Sequence, residues 1–129
     1  MDTMTKKAHD IKIDVETHFL DGHSDPAEYR YVFSYTVTIT NIGQKTAQLI
    51  SRYWLITDAD NHTEEVRGPG VVGEQPVLTP GKSFRYTSGT VFRTPVGTME
   101  GSYELRDEDG ITFQASIPVI GFSRPGVLH

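Results

Sequence analysis

Two groups of residues in the middle of the chain have the types and spacing of phosphate-binding motifs. Gly68, Gly70 and Gly73 form the pattern G-x-G-x-x-G, which in dinucleotide-binding proteins lets the backbone approach a pyrophosphate. Gly81 and Lys82 begin the tripeptide GKS, which resembles the end of a P-loop. Both motifs work because the glycines lead into an α-helix, whose free N–H groups and dipole attract the anion. The residues that follow each motif therefore decide whether it can bind a nucleotide.

Those following residues do not favour a helix. After Gly73 the chain reads EQPVLTPGKSF, which puts Pro76 and Pro80 where the helix would lie. Proline lacks the backbone N–H and costs about 3 kcal/mol inside a helix. A P-loop would also need glycine in place of Pro76, and the residues after Ser83 alternate as in a strand. We therefore expect neither a Rossmann site nor a P-loop, and we interpret Pro80-Gly81 as a turn.

A simpler anion site stays open, because successive N–H groups in a glycine-rich loop can form an anion-binding concavity without a helix. Residues 67–98 contain four basic residues and one acidic residue, so this segment has a charge of +3 in a chain of net charge -5. The other interpretation is that the glycines allow positive φ in a long loop that crosses between two sheets. The candidate anion-binding residues are Arg67, Gly68, Gly70 and Gly73.

The other polar clusters do not have the spacing of a known metal or catalytic site. The segment DADNHTEE, at 58–65, has carboxylates at its first and third positions, as a calcium loop has, but it lacks the glycine at position six. We interpret it as a turn between strands. Serine and histidine are present without a G-x-S-x-G motif. The sequence therefore predicts no metal site, no cofactor and no enzymatic activity, although five histidines are available: His9, His18, His23, His62 and His129.

Composition limits the class of protein. The 129 residues suffice for one domain with a real core, with short flexible tails expected near 1–8 and 125–129. The net charge of -5 argues against nucleic-acid binding, which needs clustered lysine and arginine. The absence of cysteine fits a reducing compartment. No stretch resembles a signal peptide or reaches 18 apolar residues, so we expect a cytoplasmic location and no membrane insertion.

Hydrophobic alternation with a period of two dominates the chain. In EYRYVFSYTVTITN every second residue is apolar or aromatic, as in a strand with one buried face. No segment shows an amphipathic helical pattern, so we expect less than about a tenth of the chain to be helical. Frequent turn residues separate the runs. This pattern predicts an all-β sandwich of the immunoglobulin-like kind. Seven strands are predicted, near residues 10–19, 29–40, 47–57, 62–67, 82–90, 98–106 and 111–117.

The apolar positions of these strands give the predicted core. Trp54 is included although both faces of its strand are apolar, and Tyr103 lies where immunoglobulin-like folds often have a tyrosine corner. The predicted buried residues are Ile13, Val15, Tyr31, Phe33, Val37, Leu49, Trp54, Phe84, Tyr103, Leu105, Phe113 and Ile117.

The chain resembles the ApaG family from about residue 9 to about residue 124. The resemblance lies in GPGVVGEQPVLTPGKSFRYTSGTVFRTPVGTMEGSYEL, ITFQASIPVIGFSRP and VTITNIGQKTAQLISRYWLITDADN. It implies a fibronectin type III-like sandwich and a link to cobalt and magnesium efflux. Related domains occur within larger proteins, which implies a binding module. The family's glycine pattern, which has been taken to suggest pyrophosphate binding, corresponds to Gly68, Gly70 and Gly73 here.

Two functions from different classes follow from these observations. The first is a non-catalytic interaction module that docks an unidentified protein partner, for example by adding a strand to an exposed sheet edge. The second is a small-anion binder that recognises pyrophosphate or an adenine dinucleotide at the glycine-rich loop. We favour the module, and we expect any role in metal efflux to be indirect, because no segment is long enough to cross a bilayer.

Overall fold

The computed structural model describes residues 7–126, and nearly all regular structure in this range is β-strand. Two 3₁₀ turns, Asp21–His23 and Pro26–Glu28, are the helical segments among these residues. No helix in this range has the length and apolar composition that a membrane span needs. The strands are β1 (Ile11–Phe19), β2 (Tyr31–Asn41), β3 (Ala47–Asp58), β4 (Thr63–Pro69), β5 (Val77–Leu78), β6 (Ser83–Phe92), β7 (Val96–Asp107) and β8 (Thr112–Ser123).

The all-β prediction is confirmed, and each of the seven predicted strands is present. The structure adds β5, which has only two residues and therefore gives no periodic signal. It also extends β8 to Ser123, well past the predicted end at residue 117. An irregularity in the pairing of β7 with β8 interrupts the alternation there. Successive inward-facing residues are therefore three positions apart, from Ile117 to Ile120, instead of two.

The strands form two antiparallel sheets. One has the order β1-β2-β6, and the other has the order β4-β3-β7-β8, with β5 pairing to the first residues of β3. A single cluster of buried side chains from both sheets fills the space between them. Its aromatic rings meet edge to face, with centroid distances of 5.4 Å for Phe33 and Phe122 and 5.6 Å for Tyr35 and Trp54.

The predicted core is largely correct. Eight of the twelve predicted residues are buried, including Trp54. The other four are half-buried and pack against the core. All four lie on the edge strands β1, β6 and β8, where one flank of the strand has no neighbour to cover it. These four residues are Ile13, Val15, Phe84 and Phe113.

The Tyr103 side chain links the two sheets. Its hydroxyl forms a 2.5 Å hydrogen bond with the hydroxyl of Tyr86, which joins β7 to β6. In the predicted tyrosine corner this hydroxyl would instead bond to the backbone of a neighbouring turn. Burial raises the pKa of Tyr86 to about 12, and burial also raises the pKa of Tyr103. The pair is therefore a neutral polar contact inside an apolar core.

A hydrogen bond between the partly exposed His9 and the buried Asp107 attaches the start of the described chain to the turn between β7 and β8. His9 Nε2 lies 2.7 Å from Asp107 Oδ2, and the Asp107 side chain is fully buried. The other Asp107 oxygen accepts the N–H groups of Asp109 and Ile111. The His9 ring also stacks on Phe113, with centroids 4.0 Å apart. The hydrogen bond from His9 holds the pKa of Asp107 below its usual value.

We expect replacement of His9 by phenylalanine to lower the stability of the fold near pH 6 and to make that stability less sensitive to acid. A carboxyl whose folded-state pKa is lowered stabilises the fold above its unfolded pKa, near 3.9, and this contribution is lost as pH falls. His9→Phe keeps an aromatic ring against Phe113 but removes the main cause of the low Asp107 pKa. Urea unfolding at a series of pH values should therefore show a lower midpoint at pH 6 and a weaker loss of stability below about pH 4. An unchanged pH profile would contradict this role for the pair.

Candidate functional site

The glycines of the G-x-G-x-x-G pattern lie at one edge of the five-stranded sheet. Gly68 is part of β4, opposite Arg52 of β3, and its φ is not positive. Gly70 and Gly73 have φ values of +59° and +81°. The interpretation of this segment as a loop that crosses between sheets is wrong, because β4 and β5 on either side of it both pair with β3. No helix follows it among the described residues.

A tight turn forms the tip of this segment. The N–H of Val71 donates to the carbonyl of Glu74 at 2.8 Å, and the N–H of Glu74 donates back at 2.9 Å. The two residues between them, Val72 and Gly73, both have positive φ, as in a type I′ turn. Val71 is fully buried, so the turn is also fixed by packing. The glycine pattern therefore has a structural reason here that involves no ligand.

Hydrogen bonds within the protein use much of the loop backbone. The N–H of Gly70 donates to the carbonyl of Ile50, which lies at a bulge of β3. The carbonyls of Pro69 and Gly70 each accept a 3.0 Å bond from Arg52 Nη1. The assignment of Arg67, Gly68, Gly70 and Gly73 as anion-binding residues stays a prediction. An anion at this place would meet arginine side chains more readily than the Gly70 N–H.

A surface groove of about 680 Å³ adjoins this segment and is lined by both Arg52 and Arg67. The Arg67 guanidinium lies 4.3 Å from the centre of the Tyr53 ring and 3.3 Å from Glu65. The Tyr53 hydroxyl donates to Glu65 at 2.8 Å, and this bond raises the pKa of Tyr53. Glu65 thus balances the charge of Arg67, and Glu104 is a carboxylate that lines the groove itself.

Arg52 was missed by sequence reasoning. Its position opposite Tyr103 in the ladder puts the start of its side chain on the core side of the sheet. Among residues 7–126, the ion pairs found do not include Arg52. The signal in the sequence was an arginine within AQLISRYWLIT, a strand that is otherwise largely apolar on both faces.

The acidic segment after β3 forms the expected turn. Ligand atoms of Asp58, Asp60 and His62 lie within 4.8 Å of one another. One Asp58 oxygen accepts the N–H groups of Asp60 and His62, at 2.8 Å and 3.0 Å. This arrangement caps the turn and accounts for the closeness of the three side chains. His129, one of the five histidines that could bind a metal, lies outside the described residues.

One sheet edge presents a row of free backbone groups. Asn41 donates its N–H to the carbonyl of Lys82, so the odd-numbered residues of β2 bond to β6. In this register they face the even-numbered residues of β6. The odd-numbered residues of β6 therefore point their N–H and C=O groups away from the sheet. These residues, which are all exposed, are Ser83, Arg85, Thr87, Gly89 and Val91.

The other three sheet edges are better protected. β8 contains Pro118 at the pairing irregularity, and β1 of the opposite sheet packs against it. β1 has charged side chains along its exposed face, and β4 is short and ends at Pro69. β6 has no proline, no pairing irregularity with β2 and hardly any contact with β4. It is therefore the most open edge of the sandwich.

The two sheets, with orders β1-β2-β6 and β4-β3-β7-β8, define a fibronectin type III-like β-sandwich. A family model described as the ApaG domain matches residues 21–107. A relative from Shewanella sediminis named Protein ApaG is 51% identical over 98% of this chain and 100% of its own length. One from Thiobacillus denitrificans is 55% identical over 95% of this chain and 97% of its own length. The chain belongs to the ApaG family.

A solved structure agrees with this fold in detail. The crystal structure of an ApaA protein from Bordetella pertussis is similar with a TM-score of 0.92 and 46% sequence identity. The match covers 95% of this chain and 99% of that one. The predicted membership of the family and the predicted sandwich are both confirmed.

Proposed function

We propose that this chain is a non-catalytic interaction module that binds a protein partner through an exposed sheet edge. The observation that carries the proposal is the edge of β6, where within residues 7–126 no strand pairs with the N–H and C=O groups of the five odd-numbered residues. Backbone groups on an open edge pair readily with a strand from another chain. A module of this kind needs no catalytic residues, and it would influence cobalt or magnesium efflux only through the protein that it binds.

Affinity capture followed by reconstitution tests this proposal. The immobilised chain is exposed to native lysate of its source organism at about 0.15 M salt, where weak charge contacts are screened beyond about 8 Å. We expect a protein to be retained in defined stoichiometry, to be displaced by free chain, and to bind again when both components are purified. If no captured protein binds again after both components are purified, the proposed interaction module is refuted.

A second candidate function is binding of a small anion such as pyrophosphate or an adenine dinucleotide. The specific observation in its favour is that Arg52 and Arg67 line one groove beside the glycine turn. Against it stand Glu65 and Glu104 in the same region, which would repel an anion.

Titration of isotope-labelled protein with pyrophosphate separates the two functions. We expect no saturable shift of the Gly68–Gly73 amide signals up to millimolar ligand. Saturable shifts there, weakened by Arg52→Gln and Arg67→Gln but not by the exposed control Arg106→Gln, would establish the anion binder instead. Arg106 is a suitable control because it lies on β7 outside the groove.

A further inference from the structure

We infer that the β6 edge takes an extended acidic segment of a partner protein, in which carboxylates alternate with apolar side chains. This inference rests on the proposed function and specifies the chemistry of the partner. Three independent features of the edge carry it: the charge of the strand, the partly apolar groove beside it, and the exposed aromatic residue at its end.

Charge gives the first argument. Residues 82–93 contain Lys82, Arg85 and Arg93 and no acidic residue, in a chain of net charge -5. Arg85 lies on the exposed face of β6, two residues from its start, and its nearest carboxylate oxygen, on Glu16, is 3.8 Å away at an exposed position. Such a pair contributes little and can be replaced by a better one. A strand added beside β6 would place alternate side chains next to Arg85, and carboxylates are the complementary choice.

The opposite face of an added strand has a different environment. Between β6 and β4 lies a groove of about 160 Å³, lined by the apolar Ile56, Val91 and Phe92 and by polar residues that include Asp58 and Glu64. Because successive side chains of a strand point to opposite faces, every second residue of the partner would point towards this groove. An acidic side chain there would be repelled by Asp58 and Glu64, whereas an apolar one would cover the half-buried Ile56. The edge therefore selects an alternating acidic and apolar segment.

The end of β6 provides an anchor. Val91 is 47% exposed and Tyr29 is 65% exposed. Tyr29 and Arg93 line a groove of about 300 Å³ together with Asp58, Asp60 and His62, so an apolar or aromatic side chain of the partner suits this groove better than a carboxylate. Tyr29 also has a φ of +54°, an uncommon value for a bulky residue. Tyrosine and arginine are the residue types most often found at energetically dominant positions of protein interfaces.

The test uses two synthetic ten-residue peptides, one alternating glutamate with valine and one alternating lysine with valine. Residue-resolved amide hydrogen exchange of the full chain is measured with each. We expect the glutamate peptide to slow exchange about tenfold or more at Ser83, Arg85, Thr87, Gly89 and Val91, and the lysine peptide to leave it unchanged. Binding of the glutamate peptide should weaken as salt is raised. Equal binding of both peptides, or protection confined to another surface, would overturn the inference.

Three variants complete the test. Arg85→Glu should weaken binding of the glutamate peptide at least about tenfold, because it puts like charges opposite each other. Lys12→Glu, the same change of charge on the β1 edge of this sheet, is the matched control and should have no effect. Thr87→Pro removes one edge-facing N–H without removing a backbone bond to β2, although it also removes the 2.8 Å contact between the hydroxyls of Thr87 and Thr36, and it should also weaken binding. Binding unaffected by both Arg85→Glu and Thr87→Pro would overturn the inference.

The outcome is distinguishable from failure of the proposed function. If a reconstituted partner binds Arg85→Glu as well as it binds the wild type, the module stands and the β6 assignment is wrong. If the glutamate peptide protects the edge but no partner is reconstituted, the edge chemistry stands and the proposed function fails. Protection of the edge by the peptide together with loss of the reconstituted partner in Arg85→Glu supports both.

Discussion

Replacement of Gly70 by alanine should lower the free energy of unfolding by about 2–5 kcal/mol without any ligand present. A φ of +59° costs an L-residue about 1–2 kcal/mol. The added Cβ would also lie 2.2 Å from the backbone carbonyl oxygen of Glu74. Relief of that clash requires the Val71–Glu74 turn to shift, and overpacking of this kind costs about 1–3 kcal/mol more.

The other two glycines of the pattern give graded controls. Gly73→Ala should cost only about 1 kcal/mol, because φ is +81° but no atom lies within 4 Å of the new Cβ. At Gly68 the new Cβ would meet the Arg52 guanidinium at 3.0 Å, and that flexible side chain can move. Urea unfolding measures all three. Equal effects on stability at the three positions would contradict a structural role for this segment. A Gly70→Ala variant that keeps wild-type stability but has lost pyrophosphate binding would contradict it too.

Removal of one hydroxyl from the buried Tyr86–Tyr103 pair should cost about 1–3 kcal/mol. Tyr103→Phe leaves the Tyr86 hydroxyl inside the core without its 2.5 Å partner, and an unpaired buried polar group carries that penalty. Tyr86→Phe should act in the same way. Removal of both hydroxyls together should cost less than the sum of the two single changes, because no unpaired group then remains. A double variant whose loss equals that sum would show that the hydroxyls do not interact.

The same pair should limit stability at alkaline pH. A tyrosine whose folded-state pKa is raised contributes stability that is complete below its unfolded pKa, near 10, and is lost as pH rises towards the folded value. For Tyr86 the folded value is about 12. Wild-type stability should therefore fall between about pH 10 and pH 12, and the double phenylalanine variant should fall less over that range.

The fold could be predicted from sequence because burial imposes a simple period. On β2 the buried positions follow the apolar alternation of Tyr31, Phe33 and Val37. One buried sheet face is enough to specify the register of such a strand. Pairing irregularities defeat this reasoning. The bulge at Ile50 changes which parity faces the core without leaving a mark in the sequence, whereas the irregularity in β8 is marked only by Pro118, which does not indicate that the strand continues beyond it.

The candidate site could be predicted only in part. The positive φ of Gly70 and Gly73 follows from glycine chemistry, but positive φ at Val72 does not, because a β-branched residue rarely adopts it. The role of Arg52 depends on the return of the chain at Pro69 and Gly70, which is a tertiary contact. The open edge of β6 likewise depends on which strands become neighbours, and no local pattern encodes strand order.

The most direct test of the account is residue-resolved amide hydrogen exchange of the chain alone and in complex with its reconstituted partner. The account predicts slower exchange in the complex at the edge-facing residues of β6, from Ser83 to Val91, with the Gly68–Gly73 segment unchanged. Slower exchange at Gly68–Gly73, with the β6 edge as open as in the free chain, would contradict it.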